Sequence, residues 1–268
     1  MARLYTEDSR QMKDVKDGSV ELIITSPPYF DLKKYNEANN HSENIGDPKT
    51  YNEYIDNLNS VWKECIRTLT PDGKICINIM PIFLSGKETV FERRVTKTAI
   101  HDIETFMQAT GEMYLHSLYI WDKRKIVRFS SFGSYPYPGN IFSTFPYEWI
   151  IVFAKKGKRH PVDKAIKEKS KLKVKEWQTW AINSLWEMQP AKAKSVGHPA
   201  PFPDELPRRL IKLYSFHGDN VLDPFVGSGT TVRVAEELGR KGIGYDVNPD
   251  YIELAKKSLL KKPKEDQG

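Results

Sequence analysis

Apolar and polar residues fall into short blocks along this chain. Ser19–Thr25 (Ser-Val-Glu-Leu-Ile-Ile-Thr) is an apolar run that stops at a double proline, the pattern of a buried parallel strand with an abrupt end. From Tyr51 to Leu69 the apolar positions Tyr54, Ile55, Leu58, Val61, Trp62, Cys65, Ile66 and Leu69 recur at helical spacing, and Thr70-Pro71-Asp72-Gly73 ends the run. Lys74–Ile79 then predicts a second strand. The middle is less regular: a helix near Ile100–Thr110, a strand near Tyr114–Trp121, a loop rich in Gly, Pro and aromatics over Ser130–Pro146, and a strand over Tyr147–Ala154.

The C-terminal part alternates most clearly. It predicts a helix over Glu205–Tyr214, a strand over Asn220–Asp223, a glycine-containing turn over Pro224–Gly229, a helix over Thr230–Leu238, a strand over Gly242–Asp246 and a helix over Asp250–Leu259. Alternating strands and helices predict an α/β fold: a doubly wound, mostly parallel, Rossmann-like sheet whose ligands bind beyond the carboxyl ends of the strands. There is no internal repeat.

Composition narrows the class. A chain of 268 residues predicts one or two domains. With 39% hydrophobic and 12% aromatic residues and a mean hydropathy of −0.56, it can bury a core without a membrane-spanning run. Disordered, collagen-like and membrane classes are excluded. Cys65 and Cys76 are the only cysteines, and no apolar stretch near the N-terminus resembles a secretory signal, so a reduced, cytoplasmic protein is expected. Two cysteines and six scattered histidines do not supply a recognisable zinc site, and no metal is predicted.

The net charge of +6 becomes informative once it is located. Lys155–Lys175 holds ten basic residues against Asp163 and Glu168, a segment of +8 that leaves −2 for the rest. A nearly neutral body with one cationic insert predicts an acidic partner at the insert.

Two motifs carry chemistry. Asp223-Pro224-Phe225-Val226-Gly227-Ser228-Gly229-Thr230-Thr231 lies between a strand and a helix, where glycines let backbone approach a ligand and the acid can hold a cation or hydroxyl. No lysine follows the last glycine, so this is not a phosphate loop, and the full dinucleotide fingerprint is absent. Asp246, ending the next strand, stands where doubly wound folds place an acceptor for ribose hydroxyls. The pair suggests a nucleoside cofactor without a pyrophosphate; a tight turn with a helix-capping acid is the plainer alternative. The second motif, Thr25-Ser26-Pro27-Pro28-Tyr29, follows the first strand. Two prolines fix the backbone and leave the Pro27 carbonyl without a ladder partner. That oxygen and the Ser26 hydroxyl can hold an exocyclic amine while Tyr29 stacks on the attached ring.

Together the motifs identify a resemblance. The chain resembles the DNA amino-methyltransferases that use S-adenosylmethionine, in the permuted order with the catalytic motif before the cofactor loop. The landmarks are Thr25–Tyr29, Leu69–Lys74, Tyr147–Phe153, His198-Pro199-Ala200-Pro201-Phe202-Pro203 and Asp223–Thr231, which span nearly the whole chain. A serine heading the catalytic motif is similar to the cytosine-N4 subgroup, whereas Asp or Asn is more typical of adenine-N6 enzymes; adenine-N6 methylation is the alternative, and a DNA-binding regulator that kept the fold and lost activity is a third reading.

The resemblance implies a division into a catalytic half (1–154), a basic target-recognition insert (155–195), a cofactor half of the same domain (196–260) and a tail (261–268). It implies Ser26, Pro27, Pro28 and Tyr29 as catalytic. Asp8, Thr25, Pro201, Phe202, Asp223, Phe225, Gly227, Ser228, Gly229, Thr230, Asp246 and Asn248 would bind S-adenosylmethionine, released as S-adenosylhomocysteine. Lys123, Arg124, Arg128, Lys155, Lys156, Lys158 and Arg159 would meet double-stranded DNA, with Lys125 beside them. No membrane partner is implied; a companion restriction endonuclease and a monomer or homodimer are. The two N–H groups of the amine would be accepted by Ser26 and Pro27, raising electron density on nitrogen for direct in-line transfer. Methylation at cytosine C5 needs a thiolate and is not expected, because Cys65 lies on the apolar face of a helix and Cys76 inside a strand. The target base must flip out of the duplex onto Tyr29. Trp177, Trp180 and Trp186 are expected to pack internally, and Tyr135, Tyr137 and Phe142 either line the base pocket or fold on themselves.

Overall fold

The computed structural model describes residues 2–30, 45–46, 48, 50–125, 132–134, 136–190 and 203–260. Its strands are β1 (Arg3–Tyr5), β2 (Val20–Thr25), β3 (Leu69–Ile79), β4 (Ile82–Leu84), β5 (Val95–Lys97), β6 (Met113–Asp122), β7 (Phe132–Gly133), β8 (Ile141–Phe142), β9 (Tyr147–Lys155), β10 (Leu185–Glu187), β11 (Asn220–Asp223) and β12 (Lys241–Tyr245). Eight of them form one sheet in the order β1-β12-β11-β2-β3-β9-β6-β10, while β4–β5 and β7–β8 are small separate pairs. Every pairing in the large sheet is parallel except those of β9, which runs antiparallel to β3 and to β6.

The central strands are apolar on both faces because helices cover both. In β2, Ile23 joins one cluster and Leu22 and Ile24 the other, all three fully buried. The first cluster is closed by α1 (Tyr51–Thr68) and α2 (Ala99–Ala109). Helix α1 starts where the Thr50 hydroxyl accepts the Glu53 N–H, and it buries Tyr54, Leu58, Val61, Trp62 and Cys65 completely. Beyond the sheet's other half lie two short helical pieces, α3 (Lys164–Lys169) and α4 (Val174–Glu176), the latter continuing as a π-helical turn over Trp177–Ala181. The second face is covered by α5 (Glu205–Tyr214) and α6 (Thr230–Glu237), through Leu206, Leu210, Ile211, Val234 and Ala235. Helix α7 (Pro249–Leu259) closes the edge: Ile252 packs on Val226 and Val232, with Leu4 of β1 and Leu259 against them.

Two local features depart from the periodicity. The stretch Thr70–Gly73 does not separate helix from strand; Leu69 already pairs with Val20, and the four residues bulge out before Lys74 pairs with Leu22. Asp72, at φ 63°, takes the left-handed backbone of that bulge. Within 155–190, β10 extends the large sheet beside β6. Among the described residues no helix is long and apolar enough to cross a membrane.

Candidate functional site

The carboxyl ends of β2 and β11 meet at Asp223. Its Oδ1 accepts the Thr25 hydroxyl at 2.8 Å and the Phe225 N–H at 3.1 Å, and its Oδ2 accepts the Thr231 hydroxyl at 2.7 Å. One carboxylate thus ties the strand that delivers the catalytic motif to the turn and helix of the glycine loop, across 198 residues of sequence. Asp223 is 1% exposed, and burial raises its pKa to about 6 even though all three hydrogen bonds pull it down. Both oxygens are engaged within the protein, Oδ1 twice and Oδ2 once, so Asp223 holds the site together and Oδ2 keeps one lone pair free.

Asp246 stands one strand away. Its Oδ2 accepts the Gly227 N–H at 3.0 Å and its Oδ1 the Asn248 N–H at 2.9 Å, and burial lifts its pKa to about 6 as well. Each oxygen keeps lone-pair capacity for a hydroxyl donor. Asn248 is the N-cap of α7, its side chain accepting the Asp250 N–H at 2.9 Å. Gly229, at φ 82°, opens α6; a Cβ there would stand 2.8 Å from Ala255, so only glycine lets the loop and α7 meet. Ser228 and Thr230 are nearly buried beside it, and the Phe225 ring lies edge-on to Trp62 at 6.3 Å. Asp8 reaches the same edge through β1, where Tyr5 accepts the Asp246 N–H and stacks on Tyr245 at 4.7 Å. The Asp8 carboxylate holds Arg10 in an ion pair of 2.5 Å. Pro201 and Phe202 lie outside the described residues.

On the other side of β2 the register pairs Thr25 with Ile77, so Ser26 leaves the sheet beside Asn78. The Pro28 carbonyl accepts the Tyr54 hydroxyl at 3.0 Å, which pins the double-proline turn to α1. Tyr29 is 7% exposed, and its hydroxyl donates to Glu148 Oε2 at 3.4 Å. The ring packs within the larger core cluster. Glu148 also accepts Asn78 Nδ2 and pairs with Lys123, whose ammonium lies 4.1 Å from the centre of the Trp121 ring. Sequence reasoning missed Asn78 and Glu148. Their signal was a lone polar residue inside an otherwise apolar strand, Ile77-Asn78-Ile79 and Tyr147-Glu148-Trp149.

Cys65 and Cys76 are fully buried, and burial pushes both thiols far above their ordinary value, which rules out a thiolate nucleophile. Among the described residues no group of three or more His, Cys, Asp or Glu could hold a metal ion.

The family described as DNA methylase matches residues 20–257, almost the entire chain. The chain belongs to this DNA methylase family. The methylase is 33% identical to the type II methyltransferase M.MjaI of Methanocaldococcus jannaschii over 269 residues, covering 90% of this chain and 85% of that protein. It is 30% identical to M.MthZI of Methanothermobacter thermautotrophicus, covering 94% and 74%. Among solved structures, the DNA modification methylase TTHA0409 of Thermus thermophilus, complexed with S-adenosyl-L-methionine, superposes with a TM-score of 0.76 at 30% identity, over 97% of this chain and 93% of that one. The cytosine-N4-specific PvuII DNA methyltransferase shares the fold, with a TM-score of 0.63 at 20% identity over 96% and 86%.

The basic insert of the methylase lies elsewhere. Because β9 is antiparallel, Lys155 leaves the sheet at the amino ends of β2 and β3, the edge opposite Ser26. There the Lys155 ammonium donates to the Ile66 and Leu69 carbonyls at 2.6 and 3.1 Å, capping α1. Arg159 pairs with Asp219 at 2.6 Å and lies 4.8 Å from the centre of the Phe216 ring, and Ser170 accepts the His217 N–H, both just ahead of β11. Lys156 and Lys158 are exposed at that same far edge. The strand β6, ten residues long, puts roughly 30 Å between the two edges. The run from Lys155 to Lys175 therefore does not flank the catalytic motif. At the catalytic edge itself stand Lys123, Arg124, whose guanidinium forks onto Asp122 at 2.7 Å, and Lys125, paired with Glu187 at 2.9 Å; Arg128 lies outside the described residues. Of the three tryptophans, Trp186 is buried, Trp180 packs against the core and Trp177 is 56% exposed. Phe142 pairs within the small β7–β8 hairpin, Tyr137 is exposed, and Tyr135 lies outside the described residues.

Proposed function

We propose that this DNA methylase moves the methyl group of S-adenosylmethionine to the exocyclic N4 amine of a cytosine flipped out of duplex DNA, as the modification partner of a restriction endonuclease. The observation that carries the reading is the Thr25–Asp223–Thr231 tie, which sets Ser26 against the glycine loop. The donor set suits a cationic nucleoside. Asp246 offers acceptors for ribose hydroxyls, and Asp223 and Asp246 set two carboxylates beside the loop, while Asp8 is paired with Arg10. Bound there, S-adenosylmethionine supplies the methyl group.

The chain's own residues do the rest. The Ser26 hydroxyl and the Pro27 carbonyl accept the two N–H groups of the target amine, which turns the nitrogen lone pair out of conjugation and aims it across the β2–β11 junction. The hydroxyl of Tyr54 holds the Pro28 carbonyl, so the turn needs no rearrangement to do so. Glu148 orients Tyr29 beneath it. Serine at position 26 supports cytosine, and the relatives' designation as type II methyltransferases supports the endonuclease partner. DNA from a host expressing the protein, digested to nucleosides and separated by mass, should contain N4-methylcytosine. N6-methyladenine would overturn the base assignment, and Ser26→Ala with undiminished transfer would overturn the role of the motif.

A further inference from the structure

The β4–β5 hairpin rises from the catalytic edge. Strand β3 ends at Ile79, beyond the position level with Ser26, and passes through Met80 and Pro81 into β4. Ile82 and Leu84 root the hairpin in the core at 0% and 3% exposure. On its other side Phe83 stacks on Phe145 at 5.6 Å, just before β9 begins at the same edge.

The tip, Gly86 to Arg94, is braced. Thr89 accepts the Glu92 N–H at 3.2 Å through its carbonyl, and its hydroxyl donates to the Arg93 carbonyl at 2.8 Å. Glu92 sits at φ 51°, a left-handed backbone unusual for a residue with a Cβ. Gly86 packs so tightly that a Cβ would lie 2.9 Å from the Glu92 carbonyl oxygen. This closed loop holds two adjacent apolar side chains out in water: Val90 is 93% exposed and Phe91 69%. Lys87 precedes them, Arg93 and Arg94 follow, and Arg94 lies over the Phe83 ring at 4.2 Å, all within a tip that also carries Glu88 and Glu92. An exposed apolar point in a tip of three cations and two carboxylates, on a hairpin that leaves the sheet edge where Ser26 lies, fits a phosphate-lined duplex.

We propose that Val90 and Phe91 are a wedge that enters the base stack of bound DNA and fills the gap left by the target base. The proposal rests on the reading of the site as one that acts on a flipped base. Extruding a paired base carries a cost that is smallest when the base is already unpaired, and an inserted aromatic ring replaces the lost stacking. Phe91 is thereby a positioning residue: it touches neither the amine nor the methyl donor.

The test compares two short duplexes built on the site mapped from an expressing host, one fully paired and one with an abasic position opposite the target. Phe91→Ala should lower kcat/KM about ten- to a hundredfold on the paired duplex. On the abasic duplex it should stay within about threefold of the unaltered protein, since little stacking remains to be replaced. Phe91→Trp should restore the paired duplex, and S-adenosylmethionine affinity by calorimetry should not move in either variant. Equal activity of Phe91→Ala on the paired duplex, or an equal loss on both duplexes, would overturn the wedge. If the unaltered protein methylates neither duplex, the reading of the site fails instead.

Discussion

Thr25→Val isolates the tie between the two halves of the site. Thr25 is fully buried, and valine has nearly its shape, so the change removes the hydroxyl with little else. Asp223 keeps Thr231 and Phe225 but loses its 2.8 Å bond to β2. A hydrogen bond to a charged group contributes about 1.5–3 kcal/mol, which for a chain of this size is a melting-temperature loss of roughly 3–12 °C. The effect should depend on pH. Asp223 titrates at about 6, so the bond is charge-assisted at pH 7.5 and neutral at pH 5, and the difference between variant and unaltered protein should shrink at the lower pH. Thr25→Ser, which keeps the donor, should recover most of the loss. Calorimetric melts of the three proteins at both pH values decide the matter. A Thr25→Val protein that melts within 1 °C of the original at pH 7.5 would show that the Asp223 tie contributes nothing.

Other consequences can be measured directly. Burial raises Asp246 from 3.8 to about 6, so the folded state holds a proton that the unfolded chain releases between those values. That contribution, about 3 kcal/mol at most, is complete below pH 3.8 and lost as pH rises through 6. Denaturant unfolding of Asp246→Asn against the original across pH 4–7 should show a shallower slope in the variant, because Asp223, raised to about 6 as well, keeps its own share. Lys155→Ala should cost about 1 kcal/mol through the loss of the α1 cap while leaving the salt dependence of DNA binding unchanged, as read by titration at several salt concentrations. Glu148→Ala leaves the Lys123 ammonium, 18% exposed, without its partner, and should destabilise by about 3–5 kcal/mol in thermal unfolding. Replacing Lys164, Lys167 and Lys169 together by alanine should leave methyl transfer to a short duplex unaltered, because α3 lies at the far edge.

Periodicity located β2, α1, α2 and the C-terminal βαβ unit to within a residue or two, because each is long or strongly patterned. The Asp223–Thr231 motif was legible for a similar reason: a strand, an acid and two glycines before a helix leave few conformations open. Direction was not legible. Nothing in Tyr147–Lys155 distinguishes a parallel from an antiparallel strand, since both bury both faces here, yet the antiparallel choice moves the following Lys-rich segment to the opposite edge. Charge clustering gave the segment's composition and no position. The contact of Tyr29 with Glu148 was not legible either, because residue type alone does not say which strand the ring packs beside. Asn78 and Glu148 become significant only when β3 and β9 lie side by side.

The pairing of β1 with β12 brings the two ends of the described chain together. Leu4 lies opposite Gly244, and Ala2, Leu4 and Leu259 share one small apolar cluster. The order in which the halves appear along the gene is consequently immaterial to the folded site. Joining the ends through a short linker and reopening the chain in an exposed loop between Tyr29 and Asp223 would give a protein in which the glycine loop precedes the double-proline turn, with the same carboxylate between them. Loop-closure entropy would change by only about 1 kcal/mol. A sheet built this way keeps the Thr25–Asp223 hydrogen bond in place whichever half comes first along the chain.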